Sequence, residues 1–293
     1  MNYTTASRRT VKALTGQSVG ELKKLAAGFA ESLRLLNIKN GVGKNPKRPG
    51  RPPGQAPQDI LIFVLAYLKT NMTFDVLAIL FNVSRSTYHR LTKLGLSALE
   101  HALDEAKHLP ARDYDSVLKF LVDLKGQKQI CIDATERRIR RPKKNQKHFY
   151  SGKKKCHTVK NQIISDKSKR VICVSQTVEG RIHDFKLFKQ QNLANNFPKR
   201  TKCLVDSAYQ GIAKTCPGAN FRISVKKPKG SELTQKQKNS NRKISSARVT
   251  VEHAIGGTKR MQAVGEKCRS IRLGLRDQKF LVSAGLWNFH IAG

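Results

Sequence analysis

Residues 130–133 are Ile-Cys-Ile-Asp, a short apolar run that ends in a carboxylate. A second run of the same form, Cys-Leu-Val-Asp, occupies residues 203–206. Apolar runs of this length are typical of buried strands. A carboxylate at the end of a buried strand costs desolvation free energy unless a cation holds it. We therefore interpret Asp133 and Asp206 as candidate ligands of a cation.

These acids stand out because the chain around them is strongly basic. Its 293 residues include 57 Lys and Arg against 20 Asp and Glu, a formal net charge of +37. Such a charge favours nucleic acid as the partner, with an anionic membrane surface as the alternative. No apolar run approaches the roughly 20 residues that span a bilayer, and the N-terminus lacks the apolar stretch of a signal peptide. We expect a cytoplasmic, nucleoid-associated protein.

The first 54 residues predict a helical arm followed by a basic linker. The linker is rich in Gly, Pro, Lys and Arg, so no packed element is expected there. Within it, residues 48–52 (Arg-Pro-Gly-Arg-Pro) resemble the AT-hook, which binds the minor groove of DNA. One proline stands where the AT-hook has an arginine before the glycine, so we interpret the segment as a flexible basic arm that contacts phosphates.

Residues 55–108 show the pattern of a helix-turn-helix DNA-binding domain. Thr73 and Ser84 are placed to cap its second and third helices, and Asn82 tolerates the left-handed backbone of the turn. The third helix, predicted from Arg85 to Leu94, would present its exposed face to a major groove. An ordinary helical hairpin is the alternative. The candidate DNA contacts are Arg85, Ser86, Thr87, His89 and Arg90.

From residue 127 to residue 293 the pattern predicts an α/β catalytic domain with a mixed sheet. Its element order, three strands, a helix, two strands and a helix, is that of a ribonuclease-H-like fold. In that layout the first and fourth strands are neighbours, so Asp133 and Asp206 would face each other. The predicted strands are Lys128–Ala134, Val159–Ile164, Val171–Thr177, Lys202–Asp206 and Phe221–Lys226, and the predicted helices are Asp184–Asn192, Ile244–Ala263 and Arg276–Ile291, with a loop at 227–243.

A third acid, Glu252, lies on a predicted helix between two cations. Arg248 precedes it by four residues and Lys259 follows it by seven, so all three share one helical face. An exposed helix stabilised by an ion pair is the alternative. Three acids suit two-metal phosphoryl transfer, in which two divalent ions clamp the attacking and leaving oxygens. Oxygen ligands favour Mg²⁺, with Mn²⁺ as a substitute, and two ions are expected.

The run from Arg137 to Lys160 contains eleven Lys and Arg residues and no acid. Because it follows Asp133 so closely, we interpret it as a track for the DNA backbone, with a solvated surface as the alternative. Residues 227–243 form a second candidate track. Phosphate contacts of this kind position DNA without reading its sequence.

Five stretches carry a resemblance to a known family: ICIDATERRI, YSGKKKCHTVKNQIISD, VEGRIHDFKLF, LVDSAYQGI and ARVTVEHAIGGTKR. With the helix-turn-helix upstream, the chain resembles the DDE transposases of bacterial insertion-sequence type, in the group related to eukaryotic Harbinger elements. The resemblance implies that Asp133, Asp206 and Glu252 form the catalytic, metal-binding triad. It also implies that Arg248 and Lys259 contact phosphates or DNA ends.

The same resemblance implies accessory residues and an activity. It adds His183 and Asp184 near the site, although Asp184 as a helix N-cap is an alternative; Ser245 stands where related transposases often have a tyrosine. The implied activity is binding of the terminal inverted repeats of its own insertion sequence, two-metal cleavage of the ends and transfer of the 3′ ends into target DNA by a homodimer or larger assembly. A non-catalytic DNA-binding regulator and a DDE nuclease without strand transfer are the other possibilities.

Overall fold

The computed structural model of the chain describes residues 7–39, 55–112, 122–191, 197, 201–216, 218–228 and 230–293. The AT-hook-like segment at 48–52 and almost all of the predicted linker lie outside the described residues. No helix in the described ranges is both long enough and apolar enough to cross a membrane.

The chain divides into two compact units. The first combines the described residues up to Leu109 with Thr258–Arg269 and Gln278–Gly293, and the second contains the described parts of 110–257 with Ser270–Asp277. The catalytic domain was predicted to run unbroken from 127 to 293, but two of its segments group with the first unit. The last of these segments packs within that unit, because a Cβ built at Gly285 would come within 3.1 Å of Leu103 and Leu109.

The first unit is helical. Its helices include α1 Arg8–Thr15, α2 Val19–Lys39, α3 Pro57–Thr70, α4 Phe74–Leu80 and α5 Arg85–Glu105. Leu25, Phe29 and Leu33 bury the inner face of α2, as expected for a core helix. Helix α5 does not end at Leu94 as predicted. It continues through Gly95, where a Cβ would come within 2.8 Å of Ile60 on α3, so glycine permits the two helices to pack closely.

The second unit is built on a mixed sheet. Its strands are β1 Gln129–Arg138, β2 Tyr150–Ser151, β3 Cys156–Asp166, β4 Val171–Val174, β5 Val178–Glu179, β6 Lys202–Val205 and β7 Asn220–Ile223. Strand β3 is antiparallel to β1 and β4, whereas β6 is parallel to β1 and β7. The meander followed by parallel crossover strands is the predicted ribonuclease-H-like arrangement.

Six further α-helices in the described residues lie between the strands or after the last of them. They are α6 Gln146–Phe149, α7 Asp184–Gln190, α8 Ile212–Thr215, α9 Gln235–Lys259, α10 Gln262–Gly265 and α11 Leu273–Ile291. The prediction of a loop over 227–243 is wrong in its second half, because α9 already begins at Gln235. Thr234 and Gln237 form a reciprocal capping box there, each side chain accepting from the other's backbone N–H at 3.2 and 2.9 Å.

Candidate active site

Asp133 and Asp206 occupy equivalent positions on neighbouring parallel strands. The pairing of β1 with β6 ends at Ile132 and Val205, and each aspartate is the next residue. Parallel strands deliver their carboxyl ends to the same edge of a sheet, which is where α/β proteins place their ligands. Strand β1 does not end near Asp133, however. It continues to Arg138 because its second half pairs with β3.

The two carboxylates are held in the same way and share one cation. The backbone N–H of Ala134 donates to Oδ1 of Asp133 at 2.8 Å, and that of Ser207 donates to Oδ1 of Asp206 at 2.7 Å. Between them lies the guanidinium of Arg248. Its Nη2 is 3.2 Å from Oδ2 of Asp133, and its Nη1 is 3.5 Å from Oδ1 of Asp206. Two acids 73 residues apart in sequence are thus brought to one point.

At the carboxylate pair, one guanidinium faces two acids, so negative charge exceeds positive charge. Burial raises the pKa of Asp133, and Arg248 and the amide of Ala134 offset only part of that rise. The negative charges of Asp206 and Asp184 add to it, and the net result is a pKa of about 6. A divalent cation at this point would stabilise the ionised form of Asp133 and lower its pKa. Carboxylate oxygens are ligands that hard divalent cations prefer.

Helix α9 carries Arg248 to the sheet. It packs on β1, where Sγ of Cys131 lies 3.3 Å from Oγ1 of Thr250, and Val251 is fully buried. Glu252 follows Arg248 by one helical turn and is exposed. Among the described residues, no three His, Cys, Asp or Glu side chains are close enough to hold a metal ion. Glu252 therefore does not complete a cluster with the two aspartates in this structure.

A buried lysine organises a second charged group next to the aspartates. Nζ of Lys160 is 2.7 Å from Oδ1 of Asp184 and 3.5 Å from Oε1 of Glu136, and it donates to the carbonyl of Ile182 at 2.6 Å. The side chain of Lys160 is only 7% exposed. Glu136 faces Lys160 across the β1–β3 pairing. Lys160, which sequence reasoning had assigned to the DNA track, is instead a structural partner of acids near the site.

His183 and Asp184 begin helix α7. The N-cap is His183, whose Nδ1 accepts the backbone N–H of Phe185 at 3.3 Å. Asp184 is therefore the first residue of the helix, and the alternative that it serves as the N-cap is wrong. Its ion pair with Lys160 and its effect on the pKa of Asp133 place its charge near the paired aspartates.

The basic run at 137–160 is not exposed at its two ends. Arg137 is 1% exposed and donates to Oδ1 of Asn161 at 2.7 Å and to Oγ1 of Thr177 at 3.1 Å. Lys160 is buried as described above. The extension of β1 places Arg137 inside the sheet packing, so the predicted track is limited to the residues between these two, whose Lys and Arg side chains are exposed.

The helix-turn-helix has the capping residues that the sequence indicated. Thr73 accepts the N–H of Val76 at 3.3 Å, and Ser84 accepts that of Thr87 at 3.2 Å. Asn82 has the left-handed φ of 51° between them. Thr73 and Ser84 thus cap the N-termini of α4 and α5, and Asn82 adopts the left-handed backbone that the turn between these helices requires.

The face of α5 predicted to meet DNA is mostly exposed. Arg85, Ser86, His89 and Arg90 are exposed, whereas Thr87 is half-buried. Arg85 forms an ion pair with Asp75 at 3.0 Å, so DNA would have to compete for it. Lys93, which the sequence analysis did not include, is also exposed and follows Arg90 by three residues, the spacing that places two side chains on one helical face.

Two further candidates lie on α9. Ser245, in the position where related transposases often have a tyrosine, is exposed three residues before Arg248. Lys259 is the last residue of the helix and groups with the first unit, whereas Arg248 and Glu252 belong to the second.

A mixed ribonuclease-H-like sheet with paired acids, together with a helix-turn-helix, is typical of nuclease-type enzymes that bind DNA. The family model described as DDE superfamily endonuclease matches residues 132–288, and the helix-turn-helix of DDE superfamily endonuclease matches residues 56–105. A probable transposase for insertion sequence element IS702 from Microchaete diplosiphon is 32% identical over 269 residues, which cover 88% of this chain and 89% of that protein. On these matches, the chain belongs to the DDE superfamily endonucleases of the insertion-sequence transposase group.

Among solved structures, the chain is similar to the piggyBac transposase synaptic complex with hairpin DNA. The TM-score is 0.49 and the sequence identity is 10%, with 99% of this chain and 76% of that chain covered.

Proposed function

We propose that this protein binds the terminal inverted repeats of its own insertion sequence, cleaves the ends by two-metal hydrolysis and transfers the 3′ ends into target DNA. The observation that carries the proposal is the meeting of Asp133 and Asp206 at one shared cation, Arg248, in a chain of net charge +37. Two carboxylates placed this close repel each other unless a cation lies between them. In a DNA-binding enzyme, such a pair is suited to a catalytic metal.

Asp133, Asp206 and, from helix α9, Glu252 would hold divalent ions, with two Mg²⁺ expected and Mn²⁺ as a substitute. The chemistry that two such ions supply is activation of the attacking oxygen and stabilisation of the leaving 3′-oxygen. Asp206 is 45% exposed, so this carboxylate is open to solvent and to DNA. The chain supplies hard oxygen donors, which Mg²⁺ prefers.

The remaining residues would position DNA. Arg248 and Lys259 would contact phosphates or DNA ends, and Lys160 would keep Asp184 fixed beside the aspartates. The exposed cations between residues 138 and 155 would hold the DNA backbone. The exposed face of α5 would read the terminal repeat in the major groove. Because two ends have to be held together, a homodimer or larger assembly is part of the proposal.

Attack by water, and then by the freed DNA 3′-hydroxyl, requires no nucleophile from the protein. Tyr209 is close to the site, but it is fully buried and its hydroxyl donates to Oε1 of Gln162 at 3.0 Å. Burial raises the pKa of Tyr209 well above its ordinary value, so its phenolate is not available near neutral pH. This arrangement favours direct hydrolysis over a tyrosine-linked intermediate.

The test is incubation of the protein with a supercoiled plasmid that carries its gene with the native flanking DNA. Wild type, Asp133→Asn and the control Glu266→Gln, which changes an exposed acid of the first unit, would be compared with Mg²⁺ and with EDTA. We expect 3′ ends that map to the element's termini, and joined products, from wild type and Glu266→Gln in Mg²⁺ alone. Cleavage without joining would indicate a nuclease, and tight binding without cleavage by wild type would indicate a regulator; either result would contradict the proposal.

A further inference from the structure

Arg248 makes contacts that a catalytic metal would also need. Its guanidinium lies against Asp133 at 3.2 Å and against Asp206 at 3.5 Å. The side chain is 12% exposed, so it is enclosed where α9 packs on β1 and is not a free surface cation. The anchor of this packing is the contact between Cys131 and Thr250.

The contacts of this guanidinium are long and incomplete. Paired arginine–carboxylate hydrogen bonds are about 2.7–2.9 Å and often two-pronged, whereas here two different carboxylates are reached by one nitrogen each at 3.2 and 3.5 Å. Nε of Arg248 is buried and, among the described residues, has no hydrogen-bond partner. The arginine is thus held at this position by charge more than by well-formed hydrogen bonds.

A guanidinium and a divalent ion cannot share this position. Both need the same carboxylate oxygens, and their positive charges repel each other at this short range. One positive charge also neutralises only half of the charge on two carboxylates. A divalent ion satisfies both, which releases the guanidinium for another anion.

We propose that Arg248 is a placeholder for the metal, which keeps Asp133 and Asp206 together in the metal-free protein and leaves them when a divalent ion binds. This inference rests on the proposed function, because it takes the two aspartates to be the metal site. The displaced guanidinium then binds a DNA phosphate, which gives its Nε a hydrogen-bond acceptor. Metal and DNA therefore each assist the binding of the other, since each removes Arg248 from competition or gives it a new partner.

The test is a calorimetric titration of the metal-free full-length protein with Mn²⁺ in the absence of DNA. Wild type, Arg248→Gln and Asp133→Asn would be compared. The matched control is Arg242→Gln, which removes the same charge from an exposed position on the same helix. We expect Arg248→Gln to bind Mn²⁺ more tightly by roughly 5- to 150-fold, the usual size of the coupling between two interactions in one protein. We expect Arg242→Gln to bind it as wild type does.

The outcomes separate the two proposals. If Asp133→Asn abolishes a Mn²⁺ site and Arg248→Gln leaves its affinity at or below that of wild type, the placeholder is wrong while the metal site stands. If no Mn²⁺ site depends on Asp133 in either wild type or Arg248→Gln, the metal site and the proposed function are both wrong. Should Arg248→Gln fail to fold, Arg248→Lys serves instead, because one ammonium bridges two carboxylates less well, and a smaller gain in Mn²⁺ affinity is expected.

Discussion

Asp133 and Asp206 are each the first residue beyond the last paired position of two adjacent parallel strands. Their carboxylates accept the backbone N–H of the residue that follows, at 2.8 and 2.7 Å, and converge on Arg248. This geometry makes the carboxylate pair a product of the sheet register. A shift of one residue would turn either side chain to the opposite face of the sheet.

The paired site should cost the metal-free protein stability. Burial raises the pKa of Asp133 to about 6 from an ordinary value of 3.8, so the folded state binds a proton more tightly than the unfolded state. Stability therefore falls as pH rises from about 4 to about 6 and stays lower above that range. We expect Asp133→Asn to be more stable than wild type at pH 8 in EDTA, by up to about 3 kcal/mol.

The measurement is urea denaturation of both proteins at pH 8 and at pH 4. The gain should shrink toward zero at pH 4, where Asp133 is protonated in the folded state. An Asp133→Asn variant that is less stable than wild type at pH 8 would show that the cost of burying this charge has been overstated.

Lys160 should be a large contributor to stability. Its ammonium is buried between Asp184 and Glu136, and its loss leaves two enclosed carboxylates without their shared cation. We expect Lys160→Met to lower the free energy of unfolding by about 3 to 5 kcal/mol at pH 7, as when one partner of a buried ion pair is removed. Lys154→Met, at an exposed position, should change it by less than about 0.5 kcal/mol. Equal effects of the two substitutions in urea denaturation would contradict this account.

The recognition face of α5 should include Lys93. Lys93→Gln removes an exposed cation on the same face as Arg90, so we expect weaker binding to DNA from the element's ends. If the lysine contacts a phosphate, the slope of log affinity against log salt should become shallower by about 0.9. Fluorescence anisotropy at several salt concentrations measures both quantities. Lys23→Gln, on α2, is the control, and a loss equal to that of Lys93→Gln would mean that only net charge matters.

Glu21 should stabilise the first unit in a pH-dependent way. Burial alone would raise its pKa, but hydrogen bonds from His290 at 2.6 Å and from the backbone of Ser18 at 2.6 Å outweigh it and hold the pKa below the ordinary value. The stabilisation is therefore present above about pH 4.5 and is lost as pH falls through the lowered pKa. We expect Glu21→Gln to lower the melting temperature at pH 7 and to have little effect at pH 3.

Glu31→Gln is the matched comparison for this prediction, because Glu31 forms an exposed pair with Arg34. Exposed pairs contribute little to stability, so this variant should melt close to wild type at both pH values. A pH-independent loss in Glu21→Gln would indicate that its packing matters more than its charge.

The strands that carry the aspartates were predicted correctly because an apolar run and the carboxylate that ends it are neighbours in the sequence. Residues 130–133 and 203–206 each contain the apolar run that predicts a strand and the terminal aspartate that marks the site. The capping residues Thr73 and Ser84 were likewise predicted, since an N-cap depends on neighbours within one turn.

What sequence reasoning missed depends on distant partners. Arg137 and Lys160 carry the same charge as their exposed neighbours, and only the residues that contact them across the sheet make them buried. The low helix propensity of Gly95 opposes the continuation of α5 through it. The packing of α3 against Gly95, which the sequence does not show, favours that continuation. The placement of Arg248 between the aspartates combines three elements that are far apart along the chain.

The most direct test of the account is a change of metal preference by Asp206→Cys, measured as the rate of plasmid cleavage at the element's ends. A thiolate binds Mg²⁺ poorly and softer divalent ions better, so a cysteine that replaces a metal-binding carboxylate should abolish cleavage in Mg²⁺ and restore part of it in Mn²⁺. Asp206→Asn should remain inactive in both metals. Cleavage by Asp206→Cys in Mg²⁺ at the wild-type rate would show that this carboxylate does not hold the catalytic metal, and would contradict the account.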